Sequence, residues 1–369
     1  QGSFGLRAHA HTVRLSDDSN SIRIMRVLLP VLTGAVASNG KWITKANMPA
    51  PRSDLTCTTV GDSIYCIGGC SENQVCGDMD KIAEKELCYC PEVADTTFIY
   101  SADLNKWTTG AAAPRPRYRH AAAAVSGKIY LFGGRLVDDS LVTQVDVYDT
   151  IADSWSTLDA TEAGLGSDSA AFVLDSKIYI AGGYPADYAS ALNSVLVFDP
   201  VQEKFVDSAA DMTYHRGDLA AVTIGGKAYV IGGFTHVDHL SEDDSRSSFC
   251  DPVGHLEVYD PQTNTWTSKT SMREPRGDKA GVALEGHFMV MGGEKKSDND
   301  AHCDALSVPV TEVEFYDIPT DTWEQATTLP QPRFRFAGAG WDGNMLIFGG
   351  QGPYDGQDGS YGHPILSVV

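Results

Sequence analysis

The chain has 369 residues, 42% hydrophobic and 21% charged, which is enough for an ordinary folded core in one large or two medium domains and excludes a disordered, low-complexity polymer. Acidic residues outnumber basic ones 49 to 28, for a formal charge of −21, which argues against nucleic acid or an anionic membrane as partner because both are polyanions. The 8 cysteines, an even number, fit a disulfide framework in an oxidising compartment.

Residues 1–24 carry no hydrophobic period. Met25-Arg26, the apolar run Val27-Leu28-Leu29-Pro30-Val31-Leu32 and Ala35-Val36-Ala37 then form a basic start, a short apolar core and a small-residue cleavage site, the pattern of a secretory signal peptide. Residues 1–37 are therefore read as a leader region with the signal peptide at 25–37, residues 38–369 as a single domain, and the destination as secretion or the endomembrane lumen. The competing reading is a buried strand over 27–32. The run falls well short of the roughly 20 residues a membrane helix needs, and no other stretch is long enough, so no membrane span is expected.

Next comes a strand, Lys41-Trp42-Ile43-Thr44, and then a hairpin. Val60-Gly61-Asp62-Ser63 is two-residue turn chemistry, and pairing Val60 with Ser63 sets Cys57 opposite Cys66. That is a non-hydrogen-bonded pair, where side chains lie close enough for a cross-strand bridge. Cys70, Cys76, Cys88 and Cys90 crowd the following loop and allow three connectivities. Zinc is the rival ligand, but the spacing is unfamiliar for zinc and secretion favours disulfides.

From there the chain repeats itself. Glycine doublets preceded by an apolar run stand at Gly68-Gly69, Gly133-Gly134, Gly182-Gly183, Gly232-Gly233, Gly292-Gly293 and Gly349-Gly350. Between them a first aromatic recurs (Tyr100, Tyr148, Phe198, Tyr259, Tyr316), then a turn, then a second (Trp107, Trp155, Phe205, Trp266, Trp323). Each unit reads as four short strands: a with small apolar residues, b ending in the doublet, c with the Tyr and d with the Trp. One such sheet cannot bury both faces alone, but radial stacking buries them against neighbours. The pattern resembles the kelch repeat over about residues 40–369 and implies an all-β fold, a six-bladed kelch β-propeller. After Gly349-Gly350 one more strand remains, Ile365–Val369, but no Trp. The missing strand d is supplied by the N-terminal segment around Trp42, which closes the last blade and removes the open sheet edges.

Alignment on the doublets exposes a second register. Sixteen residues before each first glycine stand Arg52, Arg117, Gly166, Arg216, Arg276 and Arg333; fourteen before stand Asp54, Arg119, Asp168, Asp218, Asp278 and Arg335. These positions open strand a, the innermost strand, and so ring one mouth of the central channel. The long b–c loops (70–95, 135–143, 184–193, 234–254, 294–310, 351–363) emerge at the same end, which makes it the expected ligand face. Arg and Asp pairing between strands would be purely structural. Yet Arg117-Tyr118-Arg119 and Arg333-Phe334-Arg335 flank the blade of Arg52, a cluster whose guanidinium groups suit carboxylate, phosphate or sulfate and whose aromatic faces suit a sugar ring or an Arg side chain. Arg52, Arg117, Tyr118, Arg119, Arg333, Phe334 and Arg335 are the candidate ligand-binding residues, and an acidic protein segment or acidic glycan is the expected partner.

Arg216-Gly217-Asp218 and Arg276-Gly277-Asp278 spell an adhesion tripeptide, but in the repeat's own register rather than at a loop tip. The sets at His236–His239 and Asp298–His302 are compatible with metal but read as solvated polar loops without a calcium-loop glycine register. Cys250 and Cys303, in corresponding positions of neighbouring blades, are expected to bridge. No cofactor is implied. The resemblance also includes enzymes, namely galactose oxidase, a bacterial sialic-acid epimerase and the plant nitrile-specifier proteins, and a sugar-acting enzyme is the alternative to a binding module. The Glu-x3-Asp-x3-His iron pattern is broken at Ser247 before Asp251 and His255, and no nucleophile motif appears.

Overall fold

The computed structural model describes residues 24–26, 41–72, 90–159, 164–188, 190–206, 209–235, 252–295 and 308–353. They pair into six four-stranded antiparallel sheets and one two-stranded ribbon, Glu294–Lys295 with Val308–Pro309. The second blade shows the plan. Its strands are Ala121–Val125, Lys128–Phe132, Val145–Asp149 and Ser154–Leu158, in spatial order a-b-c-d. Strands b and c are almost wholly buried and the outermost strand alternates towards solvent, because b and c lie between neighbouring sheets while d forms the rim. Apolar clusters fill each wedge: Tyr130, Phe132 and Val147 of the second blade pack with Ile178, Ile180 and Phe198 of the third. The innermost strands contact one another in sequence, and Ala337–Trp341 contacts Thr56–Val60, so the ring closes.

Small residues make this closure possible. A Cβ on Gly281 would lie 2.9 Å from the Ala220 Cβ, and one on Gly338 2.9 Å from the Ala280 Cβ. Around the axis these strands leave a channel of about 430 Å³.

The paired aromatics fasten the outer seams. Trp107, Trp155, Trp266 and Trp323 each donate the indole N–H to a carbonyl just beyond the preceding blade: Ala46 at 2.8 Å, Ala111 at 2.9 Å, Ala210 at 2.7 Å and Thr270 at 2.8 Å. The turn residue between the aromatics, Asn105, Asp153, Asn264 or Asp321, accepts both the Tyr hydroxyl of its own blade and the N–H at that same neighbouring position. The third blade breaks the scheme: Phe198, Glu203 and Phe205 lack the hydroxyl, the short acceptor and the indole.

Five blades, not six, are each complete within one stretch of chain. The sixth sheet is composite: Ala337–Trp341 and Asn344–Phe348 are extended by Ile24–Arg26 and then Trp42–Ile43. Trp42 takes the strand-d place, donating its indole N–H to Thr328 O at 2.8 Å, as the repeat demands. The third strand of this sheet is Ile24–Arg26, where Ile365–Val369 was expected; the latter lies outside the described residues. The physical requirement is a strand of any origin that covers the exposed edge of Asn344–Phe348.

The Cys57–Cys66 bridge forms in the expected register, with Val60 opposite Ser63 and the two Cα atoms 4.1 Å apart. In the next loop Cys70 bonds Cys90, one of the three open connectivities. Cys76, Cys88, Cys250 and Cys303 lie outside the described residues, as do His236–His239 and Asp298–His302. Among the described residues no helix is long and apolar enough to cross a membrane.

Candidate functional site at the channel mouth

The mouth is built from the glycine doublets and the residues that open strand a. The second glycine of every doublet donates its N–H to the carbonyl sixteen residues before the next doublet: Gly69 to Arg117, Gly134 to Gly166, Gly183 to Arg216, Gly233 to Arg276, Gly293 to Arg333 and Gly350 to Arg52, at 2.7–3.1 Å. Approach is close enough that only glycine fits. At Gly133, with φ +60°, a Cβ would stand 1.9 Å from the Gly166 carbonyl.

Two residues further on, Asp54, Arg119, Asp168, Asp218, Asp278 and Arg335 all adopt left-handed backbone, with φ between 49° and 57°. This turns each N–H and C=O along the circumference. Arg119 donates to Asp54, Asp168 to Arg119, Asp218 to Asp168, Asp278 to Asp218, Arg335 to Asp278 and Asp54 to Arg335, at 2.9–3.3 Å, a closed hexagon of backbone hydrogen bonds around the axis. Asp tolerates this conformation better than most residues; Arg119 and Arg335 are the strained members.

The structure corrects the role of the first ring of arginines. Arg52, Arg117 and Arg333 are buried, together with Tyr118 and Phe334. Arg117 and Arg115 both bond Asp146; Arg216 bonds Glu257 at 2.8 Å and Arg276 bonds Glu314 at 2.9 Å. Arg52 lies over the Phe98 ring and Arg333 donates to Gly349 O. Burial holds the Arg117 and Arg216 guanidinium pKa down at about 10 despite these acids. The partners carry a sequence signal that reading the arginines alone missed: Asp146, Glu257 and Glu314 stand two residues before the strand-c tyrosine. The third blade, with Gly166 in place of Arg, has Leu196 there. Arg216 and Arg276 being buried, neither adhesion tripeptide is displayed.

Arg119 and Arg335 do reach the mouth, but their charges are engaged. Arg119 faces Asp54 at 3.4 Å and Asp168 at 3.8 Å and donates to the Tyr188 hydroxyl at 2.8 Å; Arg335 meets Asp278 at 2.9 Å and Asp54 at 3.9 Å. Burial opposes the charge on Arg119, yet Tyr188, Asp168, Tyr118 and Asp54 together raise its pKa well above normal. Two guanidinium groups thus stand among four ring carboxyls. On the far side Asp218 has an Asp on either hand. Burial first, then Asp278 and Asp168, push its pKa well up, and its carboxyl is hydrogen-bonded to that of Asp278. Burial also works against ionisation of Asp278, but Arg335 and the bond from Asp218 outweigh it and its pKa is lowered. Beside them Lys279, its pKa pushed well down by burial and then by Arg216 and Arg276, donates to Asp218 O at 3.2 Å. These side chains enclose a chamber of about 140 Å³. Among the described residues no group of three or more His, Cys, Asp and Glu is arranged to hold a metal ion.

Radial four-stranded sheets, glycine doublets that join neighbouring blades and indole-fastened seams define a kelch β-propeller, and the kelch motif itself matches residues 51–82. The chain belongs to the Attractin/LZTR1 β-propeller family, whose model matches residues 91–360. Among curated relatives it is similar to Kelch-like protein 23 of Homo sapiens, 25% identical over 298 residues that cover 78% of this chain and 44% of that protein. Kelch-like protein 38 of Rattus norvegicus is 29% identical over 246 residues, 66% of this chain and 36% of the relative. Alpha-scruin of Limulus polyphemus is 25% identical over 296 residues, 79% and 29%. The chain spans less than half the length of these relatives. A solved structure titled "Structure of YjhT" superposes with a TM-score of 0.65 at 17% identity, covering 86% of this chain and 94% of that one, a likeness of fold.

Proposed function

We propose that this propeller is a secreted protein-binding module whose partner docks on the b–c loop face, over the hexagonal mouth. Kelch-repeat propellers typically mediate protein interaction, and the family membership extends that to this chain as a class. The observation that carries the choice of face is the hexagon: it makes a rigid platform at the end where every b–c loop leaves. The expected preference for an acidic segment or acidic glycan loses its support, since Arg52, Arg117 and Arg333 are buried and Arg119 and Arg335 are paired with aspartates. The sugar-acting enzyme is the second reading, favoured by one feature, Asp218 with its pKa pushed up beside Lys279 with its pKa pushed down. A 140 Å³ chamber is small against the roughly 300–1,000 Å³ of ordinary ligand pockets, and binding is preferred. Secretion is supported by the leader pattern and the two disulfides. Cleavage after Ala37 would remove Ile24–Arg26 from the sixth sheet, so N-terminal sequencing of exported protein tests it.

The face is tested with a photo-crosslinking residue placed at Val137 or Ala186 in the b–c loops, or at Ile151 or Val201 on exposed turns of the opposite face. The expected outcome is a discrete protein adduct from the first pair only. Adducts from the second pair alone would move the interface to the other face.

A further inference from the structure

We infer that the mouth chamber receives a cationic group, the ammonium or guanidinium of a basic side chain on the protein partner. The inference rests on the binding-module reading and reverses the charge expected of the ligand.

Three consecutive ring positions, Asp168, Asp218 and Asp278, are carboxyls, and the two ring arginines sit on the other side of the axis around Asp54. Arg335 serves Asp278 at 2.9 Å, whereas Arg119 approaches Asp168 only to 3.8 Å and through Oδ1. Asp168 Oδ2 has no hydrogen-bond partner, although the side chain is only 7% exposed and lines the chamber. A buried carboxyl oxygen without a donor is costly and is a place for a donor from outside. The neighbouring amine does not fill it: Lys279 Nζ is directed to a backbone carbonyl. The chamber has room for a few water molecules or one ammonium or guanidinium head, taking about 30 Å³ per water. Outside the lining, the Tyr184 hydroxyl donates to Asp218 at 2.9 Å and the Tyr188 hydroxyl accepts from Arg119 at 2.8 Å. The overall charge of −21 steers basic partners toward the protein.

The test titrates the full chain with n-butylammonium, using n-butanol as the neutral isostere and butyrate as the anionic one, read by calorimetry. The expected result is butylammonium bound at least tenfold more tightly than butanol, with a tenfold or greater loss in Asp168→Asn. Asp218→Asn, which removes a second chamber carboxyl at nearly unchanged volume, should also weaken binding, covering the case in which Asp168→Asn fails to fold. Absence of butylammonium binding, equal binding of butanol, a preference for butyrate, or full affinity in both variants would overturn the inference. The chamber is read here without any partner, so its failure is separable from failure of the crosslinks at Val137 and Ala186.

Discussion

His120 shows what the crowded mouth does to one residue. It is buried between the first two blades, its Nε2 2.8 Å from Thr56 Oγ1, and its Cβ packs against Gly134 so closely that an added methyl there would stand 2.7 Å away. Burial first, then the charge of Arg117, hold its pKa down at about 3. A histidine that stays neutral in the native state contributes stability that is complete above its unfolded pKa, near 6.5. That stability is lost as pH falls towards 3, because the unfolded chain takes up the proton first. The slope of one such proton is about 1.4 kcal/mol per pH unit. Urea unfolding of the wild type and His120→Gln between pH 6 and pH 4 should therefore show the wild-type advantage shrinking by about that slope. A pH-independent difference would mean that His120 titrates normally. The adjacent Arg117 and Asp146 teach a related lesson: from the linear chain the arginine looked like a ligand group, and only its burial beside an acid on strand c makes it a brace.

At the scale of the element, the third blade is the instructive one. Its strand d, Lys204–Val206, is the outermost strand of a blade whose aromatic pair is Phe198 and Phe205. The rings keep the packing, stacking edge to face at 5.3 Å, but cannot donate to the preceding blade. Each missing side-chain hydrogen bond is worth about 1 kcal/mol net, roughly fivefold in an opening equilibrium. Hydrogen exchange should find Lys204–Val206 opening at least fivefold more readily than Thr265–Lys269, where Trp266 and Asn264 each keep a tie to the preceding blade; equal protection would show that packing alone holds the rim. This weakness was legible, since Phe for Tyr and Trp is visible in the chain. So was the Cys57–Cys66 bridge, because hairpin register follows from turn length. The choice of Cys70–Cys90 was not, because loop connectivity depends on where the loop is folded back.

At the scale of the whole molecule the question is closure. A ring of sheets is held by every seam, and the last seam depends on Trp42. Trp42→Ala should cost about 3 kcal/mol, comparable with Trp155→Ala, because both indoles make the same tie between neighbouring blades. An unchanged thermal midpoint would show that the N-terminal strand does not close the ring. The amino-acid sequence by itself determined the repeat, the kelch class, the residue of closure and the set of positions around the mouth. These are carried by local periodicity, by turn chemistry and by glycines that no side chain can replace. Only the tertiary structure decided which segment supplies the third strand of the sixth sheet, and which charges at the mouth are spent on one another. Both depend on distances between residues far apart in the chain, and the balance of buried charge appears only once Arg119 and Arg335 have met their aspartates and Asp168 has been left with an oxygen unpaired.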